Sequence, residues 1–223
     1  MLLEILQKHQ STFFPLLGHS YDMKDFCNIQ LNVDYPFLDL EKIQTYEGLE
    51  EYISGELKKN QAKVGIGGYL EKRVLYQQST NFKNSSDNRN IHLGLDWWSD
   101  AGTKVYAPLD AKVHSFKYNE PHLDYGATII LQHEMDGLFF YTLYGHLTLA
   151  SLNELTVGMT IEKGTPFTAM GERHENGGWV PHLHFQIIKD MMGKEGDFLG
   201  VASESMLSQF SQNSPDPNVF FNY

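Results

Sequence analysis

Cysteine is nearly absent: the 223 residues include one, Cys27. A single thiol excludes an intrachain disulfide framework and a cysteine-held zinc site, so any metal must rest on histidine, aspartate or glutamate. Basic residues are scarce as well. Lys and Arg total 17 against 28 Asp and Glu, a net charge of -11. That balance argues against a nucleic-acid phosphate clamp and against a binder of anionic membranes. No apolar run approaches the ~18 residues of a membrane-spanning helix. The opening MLLEILQKHQSTFF is interrupted by Glu4 and Lys8 and has no small-residue cleavage site. It reads as a short amphipathic helix and not as a secretory signal. The expectation is a cytoplasmic protein, or a periplasmic or exported one if a leader is missing. Internal repeats and low-complexity tracts are also lacking. What remains, 41% hydrophobic and 20% charged residues, is enough to bury a core, and the length fits one ordinary domain with a small appendage.

Three zones follow from the patterning. Residues 1–60 form an N-terminal extension with two helix-like stretches, the second over 40–59, where Ile43, Tyr46, Leu49 and Ile53 recur at three- and four-residue spacing. Between them, alternation of Ile29, Leu31 and Val33 predicts a short strand over 27–33. Residues 61–190 carry short β-type runs between Gly, Pro, Asn and Asp clusters: 105–106, 111–118, 127–133, 138–144 and 183–189. Asp136-Gly137 predicts a hairpin turn. Residues 79–90, all polar but for Phe82, read as a surface loop. Residues 191–223 form a tail with a helix near 204–210 that stops before Pro215-Asp216-Pro217. The fold class expected is mainly β with peripheral helices, an α+β arrangement.

The 10 histidines divide unevenly. His9, His19, His114, His122, His133 and His174 have no partner at metal-ligand spacing and read as surface or internally satisfied side chains. His92 and Asp96 in HLGLD share a face if the segment is extended, with Leu93, Leu95 and Trp97 on the other. Gly94 between them leaves room for an ion. Taken alone, this spacing is common and favours a plain hydrogen-bonded pair. His182 and His184 in PHLHFQ share a face only in a strand, and two imidazoles on one face of an apolar strand are costly to bury without a purpose. His146 follows Gly145 at the expected end of a strand. Together, His92, Asp96, His146, His182 and His184 offer a catalytic metal site's ligands and an open position, with two histidines left for proton transfer and oxyanion stabilisation.

HLGLD, YGHL and PHLHFQ, in that order, resemble the lysostaphin/LytM-type zinc metallopeptidases. The resemblance runs over about residues 65–190 and takes in APLDAKV, DYGATIILQH, VGMTIEKGTPF and ENGGW. It implies an antiparallel β-sheet core with an open groove and zinc on its floor. It implies His92, Asp96 and His184 as zinc ligands, and His146 and His182 as the catalytic pair that does not bind metal. Spacing alone leaves open which of His182 and His184 holds the metal. GGYLEKRVLYQ and the GDFLGVA…PDPN tail are similar to a branch of the family fused to phosphotransferase-like and aminotransferase-like domains.

The activity implied is zinc-dependent endopeptidase cleavage of a peptide or peptidoglycan-like substrate, through water activated by the metal. Glycine-containing or cross-link peptides are the expected class. Two other functions fit the same residues: a zinc-binding regulatory scaffold whose groove is covered by residues 1–60, and a zinc amidohydrolase for a small cytosolic amide. Trp179 and Arg89 are candidate groove residues, each with a plain alternative in core packing or a solvated loop. Trp97 is expected in the core, Trp98 facing outward, and Cys27 buried.

Overall fold

The computed structural model describes residues 1–78, 87–120 and 122–221. Its centre is a mixed sheet of eight strands. In chain order these are β1 (Phe26–Asn28), β2 (Val64–Gly67), β4 (Leu95–Trp98), β6 (Ala111–Asn119), β7 (Gly126–Met135), β8 (Leu138–Leu147), β9 (Thr160–Ile161) and β11 (His182–Ile188). Two short strand pairs lie beside it: β5 (Lys104–Tyr106) with β10 (Pro166–Ala169), and β3 (Ile91–His92) with β12 (Val201–Ala202). The sheet order is β1-β2-β4-β11-β8-β7-β6-β9, and every pairing is antiparallel except β1 with β2. Helices are peripheral: α1 (Leu2–His9), α2 (Tyr46–Asn60) and α3 (Leu207–Asn213). The expected fold class therefore holds.

Alternation along the strands gives the sheet two apolar faces. Leu183, Phe185 and Ile187 of β11 join Leu95 and Trp97 of β4 in the main core, with Leu2 and Leu6 of α1 packed into the same cluster. The opposite face is covered in two places. At the β1 end, Ile29, Leu31, Leu49 and Ile53 pack with Leu75, Tyr76, Trp98 and Trp179. Toward β7 and β8, Ile130, Leu143 and Ile188 pack with Phe198 and Phe210. Between these two clusters the face is open, and its floor is β4 and β11.

Several boundaries differ from expectation for local reasons. The second helix begins at Tyr46 because the Thr45 side chain caps it, accepting from the Gly48 N–H at 3.1 Å; residues 42–44 form a separate 3-10 turn. The strand expected over 27–33 is only Phe26–Asn28, although Ile29 and Leu31 remain buried. The tail helix starts later than expected, at Leu207. The hairpin joining β7 and β8 turns at Asp136-Gly137 as expected, with Met135 opposite Leu138. Residues 79–86 of the expected surface loop lie outside the described residues.

Candidate metal centre

The floor of the open face is set by register. His184 of β11 stands opposite Asp96 of β4, and His182 opposite Trp98. His182, His184 and Gln186 alternate with the core residues of the same strand, so all three project onto the open face. His92 arrives differently. The segment 92–96 is not one strand: β3 ends at His92 and pairs with β12, and the chain turns before β4 begins. Leu93 accordingly enters the β7–β8 side cluster and not the core that takes Leu95 and Trp97. A Cβ at Gly94 would lie 2.4 Å from His184 Cε1. The missing side chain thus makes room for a ligand's ring, not directly for an ion.

His92, Asp96 and His184 are all buried, and their ligand atoms lie within 4.8 Å of one another. His92 Nε2 is 2.8 Å from His184 Nδ1, and Asp96 Oδ1 is 3.3 Å from the first and 3.2 Å from the second. The outer nitrogens fix the tautomers. His92 Nδ1 donates to the Gly68 carbonyl at 2.9 Å. His184 Nε2 faces Gln186 Oε1 at 3.1 Å, and the Gln186 amide donates to Leu199 O and Ser214 Oγ, which turns its oxygen toward the ring. Both inner nitrogens are then lone pairs, and Asp96 Oδ1 has no hydrogen-bond donor. Three acceptors converge with no proton among them. A cation resolves that conflict, and a tetrahedral zinc with ~2.0–2.1 Å bonds would want its ligand atoms about 3.3 Å apart. The residues present fit a metal of that kind.

The other oxygen of Asp96 is held by a residue the motifs gave no signal for. Arg73 Nη1 donates to Asp96 Oδ2 at 2.6 Å, while Nε donates to Glu71 Oε2 at 3.0 Å. Arg73 is 3% exposed, so its charge depends on these two carboxylates. It reaches them past Gly68, where a Cβ would come within 1.9 Å of Nη2. Burial raises the Asp96 pKa, but the Arg73 guanidinium beside it helps to hold the carboxyl well below its usual range. Burial pushes His92 down to about 3.

Two more imidazoles stand beside the triad. His182 Nδ1 donates to Val180 O at 2.7 Å, and its Nε2 lies 4.0 Å from Asp96 Oδ1. His146 Nδ1 donates to Asn176 O at 2.8 Å, and its ring centroid is 4.2 Å from that of His182. His146 owes its aim to a bulge. Between the pairs Ala127–Leu147 and Ile129–Tyr144, β8 has one residue more than β7. His146 sits in that bulge with φ +64, a left-handed conformation unusual outside glycine. Its N–H and carbonyl are both bonded, to Tyr125 O and Gly171 N at 2.8 Å each. Burial lowers the pKa of His182, and lowers that of His146 well below the usual value, so both are neutral bases with Nε2 free of a proton.

Residues 90–197 match the family model of peptidase family M23. Over that stretch the chain is similar to peptidase family M23. Among solved structures, similar chains include a candidate M23 peptidase from Pseudomonas aeruginosa, with 21% identity over 58% of this chain and 43% of that one, at TM-score 0.37. A zinc-containing peptidase from Vibrio cholerae shares 26% identity over 47% of this chain and 29% of that one, at TM-score 0.36. The catalytic domain of the antimicrobial peptidase lysostaphin from Staphylococcus simulans shares 21% over 61% and 97%, at TM-score 0.38. The chain spans less than half the length of the first two. No curated protein matches it.

All five motif residues thus meet at one place, within the stretch that matches the family model. The two candidate groove residues also border it. Trp179 is buried and lines the cleft, with its ring centroid 6.1 Å from that of His146; Arg89 lies on the cleft's rim. Trp98 does not face outward: it is 3% exposed and stacks on His182 at 5.9 Å between centroids. Arg73, Glu71, Asn176, Tyr125 and Gln186 complete the surroundings. Gln186 shares a two-residue period with His182 and His184, whereas the other four lie in stretches that carry the resemblance but are not singled out by spacing. No described helix is long and apolar enough to cross a membrane.

Proposed function

We propose that the chain is a zinc-dependent metalloendopeptidase in which His92, Asp96 and His184 hold the metal, and His182 and His146 move protons. The observation that carries this reading is the convergence of three proton-free acceptor atoms beside two neutral imidazoles whose outer nitrogens are tied to backbone carbonyls. Zinc bound there supplies Lewis acidity, which makes water nucleophilic near neutral pH and polarises a carbonyl. His182 Nε2, the nearer of the two to Asp96, is suited to take the proton of the attacking water. His146 Nε2 is suited to donate a hydrogen bond to the developing oxyanion, or a proton to the leaving amine, once charged. Arg73 fixes Asp96 so that one oxygen is always turned to the metal. The Nδ1–H bonds of His146 and His182 to Asn176 O and Val180 O keep both Nε2 atoms aimed into the cleft.

The substrate class implied by the resemblance is a peptide, glycine-containing or a peptidoglycan cross-link. The cleft is compact. Its volume is about 210 Å³, below the ~300–1,000 Å³ of sites that engulf a drug-sized ligand. That size also keeps open a second reading, a zinc amidohydrolase for a small cytosolic amide. The test is hydrolysis of glycine-rich peptides, purified peptidoglycan and small amides by zinc-loaded protein, with His146→Ala as control. Cleavage by wild type and not by a zinc-retaining variant is the expected result. No cleavage of any substrate at full zinc occupancy would sink the proposal in favour of a scaffold.

A further inference from the structure

The walls of the cleft are chemically unequal. None of its lining residues comes from the main core under the sheet. One wall, toward the tail, is mixed, with Asp124, Asp197 and Lys194 beside Phe198, Leu199 and Val201. The opposite wall is the apolar cluster at the β1 end, where Leu31 and Leu49 of the N-terminal region meet Leu75, Trp179 and Val180. These five are 1–8% exposed, so they are core residues that nonetheless border the site. The apolar wall begins at the catalytic pair: the Trp179 ring centroid is 6.1 Å from that of His146 and 6.4 Å from that of His182. It continues outward, because Leu49, Leu75, Trp179 and Val180 also border a second, adjoining cavity reaching Tyr46 at the start of α2. There Arg173 of the loop before β11 lies over the Tyr46 ring at 3.8 Å, joining the N-terminal region to the domain.

We infer that this wall is a specificity pocket for a leucine- or phenylalanine-sized side chain next to the scissile bond, so that the substrate is a peptide with an apolar residue there. The inference rests on the proposed peptidase reading and narrows it. A glycine at that position would leave the space beside this wall unfilled, and a charged side chain would bury its charge against leucine and tryptophan without a partner. An apolar side chain removes its own surface from water there. The pocket also gives residues 1–60 a role: Leu31 and Leu49 build the specificity wall.

The test uses the full zinc-loaded chain and two readouts. The first is kcat/KM on peptides identical but for Gly, Ala, Leu, Phe or Asp beside the cleaved bond. Leucine or phenylalanine should exceed glycine by roughly ten- to two-hundredfold, the range for apolar-pocket discrimination. Leu49→Trp, which fills the pocket, should bring the leucine-to-glycine ratio toward one. Leu49→Ala, which enlarges it, should move the preference from leucine to phenylalanine, so an unfolded single variant does not decide the matter. The second readout is calorimetric binding of leucine hydroxamate against glycine hydroxamate, which needs a metal but no turnover. Leucine hydroxamate should bind at least about tenfold tighter. Equal or glycine-favouring values with active enzyme overturn the pocket and leave the peptidase reading intact. Tight, leucine-selective binding with no cleavage of any peptide supports the pocket and overturns the peptidase reading. Failure of both hydroxamates to bind overturns the pocket.

Discussion

The protein contains two kinds of buried histidine, and the difference between them separates structure from chemistry. His133 in β7 is 2% exposed, and both its nitrogens are satisfied: Nδ1 donates to Asp110 O at 3.0 Å, and Nε2 meets Thr142 Oγ1 at 2.7 Å. It stacks on Phe140 inside the sheet. His92, His146, His182 and His184 are as deeply buried, at 1–6% exposure. Each has one nitrogen committed to an oxygen and the other aimed into a shared cleft. Burial therefore does not mark a functional histidine. The mark is an imidazole whose second nitrogen has been left for something the chain does not supply.

The contrast can be broken most strongly at the ligands. His184→Ala should abolish stoichiometric zinc and with it turnover, measured as metal content after dialysis and as peptide cleavage. Retained zinc in that variant would move the metal elsewhere. Next are the two proton carriers. His146→Ala and His182→Ala should each lower kcat by roughly 10²–10⁴-fold while zinc content stays at wild-type level. A tenfold effect or less on kcat would take that histidine out of the chemistry.

A smaller effect belongs to the groups that aim the ligands. Gln186→Leu removes the acceptor for His184 Nε2 and leaves the first ligands in place. Zinc affinity should weaken by about 10–100-fold, read by competition with a chromophoric chelator. The least functional effect belongs to His133. His133→Gln should leave zinc affinity and kcat unchanged and act on stability alone. Burial lowers the native pKa of His133 to about 4, against ~6.5 in the unfolded chain. The unfolded state then binds the extra proton first, so this group's contribution is complete above pH 6.5 and is lost as pH falls toward 4. The loss amounts to about 3 kcal/mol. Urea midpoints across that window should fall less steeply for the variant; parallel curves would show that His133 is not buried neutral.

The legibility of the site follows the same physics. Period-two spacing carried His182 and His184 correctly, because a strand keeps alternate residues on one face whatever surrounds it. The β-rich middle and the Asp136-Gly137 hairpin were legible for the same local reason. His92 and Asp96 were correctly paired on a mistaken basis: they belong to two strands, and the turn between them answers to His184's ring 90 residues away. His146's bulge depends on register against β7, which no local pattern encodes. Arg73 was invisible because its partners, Glu71 apart, are joined to it only by tertiary structure. Trp98 departs from expectation because alternation turns it away from the main core without turning it to solvent. A second buried cluster, built in part by residues 1–60, covers that face.

Zinc titration of the metal-free protein tests the central claim most directly. Calorimetry at neutral pH should show one equivalent bound tightly by wild type and by His133→Gln, and none bound tightly by His92→Ala or His184→Ala. Absence of tight binding by wild type, or binding that survives loss of either ligand histidine, would contradict a zinc site built from His92, Asp96 and His184.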